Sequence, residues 1–223
     1  ALDDVQFLIE AHPNLDLARL RRGEIMMSLG EWEEAESNFR DVLSRSGKNP
    51  HGLIQLAASL IAQERLTEAE QPLNEAIKLD GDSAEGWFQR GLLYESFGQL
   101  KGALSDFETA AKRNRHHMSA LLRIAAIHHN NEDWNSAELA WRNVLNVEPE
   151  NRVARRRIQE AIDGQSASKK AAILSSTLGS ATLELETEIP EQVEIETPVE
   201  VETAIIEEVE IETIAEIETT IEE

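Results

Sequence analysis

Residues 84–117 read Ala84-Glu-Gly-Trp87-Phe-Gln-Arg-Gly91-Leu-Leu-Tyr94-Glu-Ser-Phe-Gly98-Gln-Leu100-Lys-Gly-Ala103-Leu-Ser-Asp-Phe107-Glu-Thr-Ala110-Ala-Lys-Arg-Asn-Arg-His116-His117. Trp87, Gly91 and Tyr94 recur at helical spacing, and after a break at Gly98 so do Leu100, Ala103, Phe107 and Ala110. Two amphipathic blocks of roughly 14 residues joined by a short break make a helical hairpin. One hairpin leaves an apolar face wet, so its stability requires neighbours of the same kind.

Those neighbours are present. Ala35, Ala69, Ala103 and Ala137 are spaced by 34 residues. In phase with them run Phe39, Leu73, Phe107 and Trp141, then Val42, Ala76, Ala110 and Val144. Gly23, Ala57, Gly91 and Ala125 form a small column ahead of them, and Trp32, Leu66, Leu100 and Trp134 a further one. The two small columns predict where paired helices cross, since a larger side chain there would hold the backbones apart. The bulky column is expected to fill the space between one hairpin and the next.

The period, with Trp87, Gly91, Tyr94, Gly98, Ala103, Phe107 and Ala110 in place and Pro149 at the end of the fourth copy, resembles the tetratricopeptide repeat (TPR) family. The resemblance implies an all-α, right-handed α-solenoid of helical hairpins. Four copies are expected over residues 14–149. Residues 1–13 fit the second helix of a preceding partial repeat, through Ala1, Val5, Leu8 and Pro13, so the chain is expected to open in mid-repeat. Residues 150–163 fit a cap helix. Two features depart from the pattern. Where Gly30 and Gly98 end first helices, Glu64 and Glu132 stand instead, and Asn131 is expected to supply the left-handed turn of the fourth copy. Pro72 falls inside a second helix, where it removes a backbone donor and should kink the chain.

The family generally binds peptides or partner helices on a concave face lined by first helices. Repeat phase assigns to that face Leu20, Ile54, Phe88 and Leu122; then Ala58, Leu92 and Ala126; then Met27, Ile61 and His129. Arg21, Gln55, Gln89 and Arg123 are expected at its rim. A contiguous apolar strip on a protein surface marks an interaction site, and an amphipathic helix or apolar peptide fits such a groove. Family members that grip a chaperone's C-terminal carboxylate need Lys and Asn at the fifth and ninth positions. Leu20 with Glu24, and Ile54 with Ala58, supply no partner for a carboxylate.

Composition narrows the rest. The 223 residues hold 43 acids against 21 bases, a net charge of -22, which argues against nucleic-acid and anionic-membrane partners. Cysteine is absent, so thiolate metal sites and cysteine nucleophiles are excluded. No apolar run reaches the ~20 residues of a membrane span. His116–His117 and His128–His129 read as solvated or packed imidazoles, since adjacent helical residues point about 100° apart. No phosphate loop, nucleophile elbow or zinc-protease helix appears. The expectation is therefore a non-catalytic interaction module with no cofactor and no metal, cytoplasmic by default. The alternatives are a self-assembling structural module, associating through the N-terminal helix, and the regulatory segment of a larger enzyme.

Residues 164–223 differ from the remainder. They carry 16 Glu, no Asp, two Lys and no aromatic residue. Val193-Glu-Ile-Glu-Thr197 recurs as Val209-Glu-Ile-Glu-Thr213. Dense like charge opposes folding in isolation, so a disordered acidic tail is expected. Arg152, Arg155, Arg156 and Arg157 form the dense basic patch of the chain, with the acidic tail as one candidate partner.

Overall fold

The structure is a computed structural model that describes residues 2–188, with side chains described to residue 177. Ten helices and no strand occur among the described residues. They are α1 (Leu2–Ala11), α2 (Asp16–Leu29), α3 (Trp32–Ser46), α4 (Pro50–Ala62), α5 (Leu66–Leu79), α6 (Ala84–Ser96), α7 (Leu100–Arg113), α8 (Met118–Asn130), α9 (Trp134–Val147) and α10 (Arg152–Glu188). The described residues divide after Ile158 into two units. The first unit is the stack of hairpins. Helix α2 pairs with α3, α4 with α5, α6 with α7 and α8 with α9, and α3, α5 and α7 each also meet the first helix that follows.

The predicted columns form the core. Ala35, Ala69, Ala103 and Ala137 are fully buried, as are Phe39, Leu73 and Phe107, and Trp141 is 5% exposed. Burial of a side chain such as Leu or Phe is worth about 1.5–3 kcal/mol, so the regular column is the main cohesive element of the stack. The column at the start of each second helix behaves differently: Leu100 is exposed, and Trp32, Leu66 and Trp134 are half-buried. It packs at the margin of the core.

Every first helix of the four hairpins closes with the same pair of backbone bonds. Gly30, Glu64, Gly98 and Glu132 take positive φ of 81°, 59°, 72° and 56°. The following amides reach back five residues, from Glu31 to Met26, Arg65 to Leu60, Gln99 to Tyr94 and Asp133 to His128, at 2.8–3.0 Å. These bonds satisfy carbonyls that a helix end leaves unpaired. Asn131, expected to carry the left-handed turn, has φ -87°, and Glu132 takes that role instead. The geometry needs its left-handed residue one place beyond Asn131, whatever side chain stands there.

Helix starts follow no such common rule. Asn49 accepts from the Gly52 amide at 2.9 Å to cap α4, with Pro50 at the first helical position, where a missing N–H costs nothing. Asp133 and Asn151 cap α9 and α10 in the same manner, by accepting from Ser136 and Ala154. The helix across Pro72 is continuous from Leu66 to Leu79, and Pro72 itself is buried.

On the outer side of the third hairpin, a polar and aromatic ladder fills the space between second helices. Arg90 makes a bidentate pair with Asp106, at 2.7 and 2.9 Å, and donates to Asn74 at 2.9 Å. Its guanidinium lies 4.9 Å from the Trp87 ring centroid and 5.5 Å from that of Tyr94. The Asp106 hydrogen bond raises the Arg90 pKa against the opposing effect of burial.

The cap helix expected over residues 150–163 does not end there. It runs through Gly164 to Glu188. The shift in charge near residue 164 is a change of composition, not a helix stop, and the next proline in the sequence is Pro190. The acidic repeats of residues 193–213, and the expected contact of that tail with Arg152, Arg155, Arg156 and Arg157, lie outside the described residues. Within the described ones, Arg155 donates to the Pro149 carbonyl at 2.6 Å and pairs with Glu150 at 3.0 Å.

Candidate functional site

The first helices α2, α4, α6 and α8 present the face that repeat phase assigns to binding. Helix α4 touches both α2 and α6. This close approach changes the expected floor. Leu20 and Ile54 are 5% and 3% exposed and belong to the core rather than to an open groove. Ile54 is buried because α6 offers it Gly86, where an added Cβ would stand 3.5 Å from its Cδ1. Met27 and Ile61 are half-buried and pack against the cluster of Phe39, Leu60 and Leu73.

The half-buried residues Ala58, Phe88, Leu92, Leu122 and Ala126 remain as the accessible apolar part of this face. Phe88 and Leu92 pack on Ala103 and Phe107 beneath them. The Phe88 ring stands 5.7 Å from Phe107 and 4.7 Å from His117. Arg21 and Arg123 are exposed, and Gln55 and Gln89 are half-buried.

Polar and charged pairs bridge successive first helices along this face. Glu24 accepts from Arg21 at 2.6 Å and bonds His51 on α4 at 2.8 Å. Burial raises the Glu24 pKa, but the hydrogen bonds from His51 and Arg21 and their charges outweigh it and hold the carboxyl below its ordinary value. Arg123 on α8 pairs with Glu95 on α6 at 3.2 Å. His117 lies 3.4 Å from Glu85, which also accepts from Gln89 at 2.8 Å. Arg157 stands 3.0 Å from Nε2 of His129, whose ring meets Trp134 edge-on at 5.3 Å. The face is therefore apolar at its floor and lined with paired polar and charged side chains.

Periodicity does not reveal His51, Glu85, His117 and Arg157 as members of this face. The first three sit at the starts of first helices, where no residue type recurs from copy to copy. Arg157 reads in sequence as part of the basic patch, and its approach to His129 is a tertiary fact. Among the described residues no cluster of three or more His, Asp or Glu is placed to hold a metal ion. No helix of the described residues is long and apolar enough to cross a membrane.

Comparison with known proteins agrees with this architecture. Two tetratricopeptide-repeat family models match residues 26–87 and 88–145. A TPR repeat-containing protein of Rhizobium etli is 32% identical over 106 residues, which is 48% of this chain and 52% of that protein, so the chain spans about half the length of that relative. Among solved structures, the thermophilic TPR protein TTC0263 of Thermus thermophilus superposes with a TM-score of 0.63 at 19% identity, covering 72% of this chain and 88% of that one. YrrB, a TPR protein with an unusual peptide-binding site, gives a TM-score of 0.53 at 21% identity over 70% of this chain and 80% of its own. Matching repeat models, a core built from the 34-residue columns and the hairpin stack all lead to one assignment: the chain belongs to the tetratricopeptide repeat family.

Proposed function

We propose that this chain is a non-catalytic adaptor that receives a peptide or short amphipathic helix of another protein on the face built by α4, α6 and α8. The TPR fold supports a protein–protein interaction module in general terms, and YrrB is a fold relative with a peptide-binding site. The observation that carries the finer reading is the set Phe88, Leu92, Leu122 and Ala126. These apolar residues come from consecutive first helices, are half-buried, and are flanked by the Glu95–Arg123 pair. An apolar partner face would gain by covering them, and the charged pairs would fix its register rather than add much affinity.

The test uses variants at half-buried positions of the face that are not themselves members of the core columns. Leu92→Glu and Leu122→Asp each place a charge on the floor. The partner captured by the native chain is expected to lose at least tenfold in affinity for both, with helix content by circular dichroism unchanged. Full retention of the partner by both folded variants would remove the groove from consideration.

A further inference from the structure

The 34-residue repeat provides an internal control for every surface of the molecule. In the third hairpin the space between second helices α5 and α7, above α6, is filled by Trp87, Arg90, Tyr94 and Asp106, with Asn74 at its edge. One repeat later the same positions are Leu121, Ile124, His128, Ala140 and Glu108. Each aromatic or charged member of the ladder except the edge residue has become smaller or loses its partner. The corresponding space between α7 and α9, above α8, is an open cleft of about 860 Å³ lined by these replacements.

The cleft has a polarity of its own. Leu121, Ile124, Ala140 and Leu139 make its apolar part, with Leu139 61% exposed at its mouth. Lys112, Arg115 and His116 also line it, against a single acid, Glu108. In the third hairpin an indole occupies the equivalent place and donates through Nε1 to the Gly81 carbonyl at 2.9 Å. The shape of the fold at this point accepts a large flat ring, and the fourth repeat does not supply one.

We infer that this cleft is a second docking site, distinct from the first-helix face, that takes the aromatic side chain of an acidic peptide segment from a partner protein. The ring replaces the absent counterpart of Trp87, resting on the half-buried Ile124 and the exposed Leu139 above the buried Leu121 and Ala140. The acidic flanks pair with Lys112 and Arg115, which makes the interaction salt-dependent, because exposed charges are screened within about 8 Å at physiological ionic strength.

The experiment is a titration of the isotope-labelled full chain, followed by backbone amide shifts, with the synthetic pentapeptides acetyl-EEWEE-amide, acetyl-EEAEE-amide and acetyl-KKWKK-amide. The first is expected to give saturable shifts at Leu121, Ile124, Ala140 and Asn143. The other two are expected to bind at least tenfold more weakly. Leu121→Trp, which restores the residue of the third repeat, is expected to fill the cleft and abolish those shifts. Leu139→Glu changes an exposed position, preserves the fold and is expected to weaken the first peptide at least fivefold. Equal binding of the alanine or lysine peptide, the absence of saturable shifts, shifts confined to the first-helix amides of Leu92 and Ala126, or undiminished binding by folded Leu139→Glu would each overturn the assignment.

Discussion

A methyl group added at Gly91 would stand 2.5 Å from Cε1 of Phe107, and one added at Gly23 would stand 2.4 Å from Cε1 of Phe39. Both rings are fully buried and have no room to withdraw. The second repeat solves the same problem the other way, with Ala57 and the smaller Leu73 in one cluster. Glycine and phenylalanine are thus one choice made at two positions. Helix propensity favours alanine over glycine by about 0.5–1 kcal/mol. Overpacking a full core costs about 1–3 kcal/mol, and a contact of 2.5 Å with a confined ring decides the sign. Gly91→Ala is expected to lower stability by about 1–2 kcal/mol in urea unfolding. In a Phe107→Leu background, which copies the second repeat, the same change is expected to cost at least about 1 kcal/mol less, a coupling of the size contacting residues show. Equal costs in the two backgrounds would mean that the crossing is not set by this pair. This much of the core was legible from periodicity, because burial in a repeat depends on phase and side-chain size, and both are written in the columns.

The hairpin turns show where such legibility stops. Four turns share one backbone pattern, yet two place glutamate at a left-handed position. For a residue with a side chain the left-handed region costs about 1–2 kcal/mol, and a glycine loses about 0.5–1 kcal/mol of additional chain entropy on folding. The first effect exceeds the second. Glu64→Gly and Glu132→Gly are therefore each expected to raise stability by about 0.5–1 kcal/mol in urea unfolding, while Gly98→Ala is expected to lower it by a similar amount. A loss of stability in both glycine variants would show that those glutamates support the turn through their side chains. Residue preference alone puts the left-handed residue of the fourth turn at Asn131. The backbone bonds, fixed by helix length, choose Glu132. The same gap between local preference and element geometry explains α10. A fall in aromatic content and a rise in acid mark residue 164, but Ala167, Lys169, Lys170, Ala171, Ala172 and Leu174 are good helix formers and the helix continues through them. Leu20 and Ile54 belong to the core rather than the groove for a third reason. Phase gives the direction of a side chain, whereas its exposure depends on how closely α4 approaches its neighbours, which only the assembled stack determines.

At the scale of the whole stack, exposed apolar residues gather around one helix of the described residues. Helices α3, α5 and α7 are each covered by the first helix that follows, and α1 packs on α2 as a second helix would. On α1, the turn after it and the first turn of α2, Phe7 is 69% exposed, Leu17 59%, Leu8 42%, Leu15 39% and Leu2 37%. A single exposed leucine requires no explanation. Five large apolar residues within one short stretch form the kind of surface that is normally covered by a partner. A second copy of the chain is one such partner, and a two-fold arrangement would bury the same surface on both molecules and close after two. On this reading the weight-average mass from light scattering rises from the monomer value towards twice that value as the chain is concentrated through the micromolar range. Phe7→Glu puts a charge at the most exposed of these positions, outside every core column. It is expected to return the mass to that of the monomer at all concentrations, and to leave the melting temperature of dilute protein within about 2 °C, as a surface substitution should. A mass that stays monomeric in the native chain, or a multimer that survives Phe7→Glu, would exclude association through this helix.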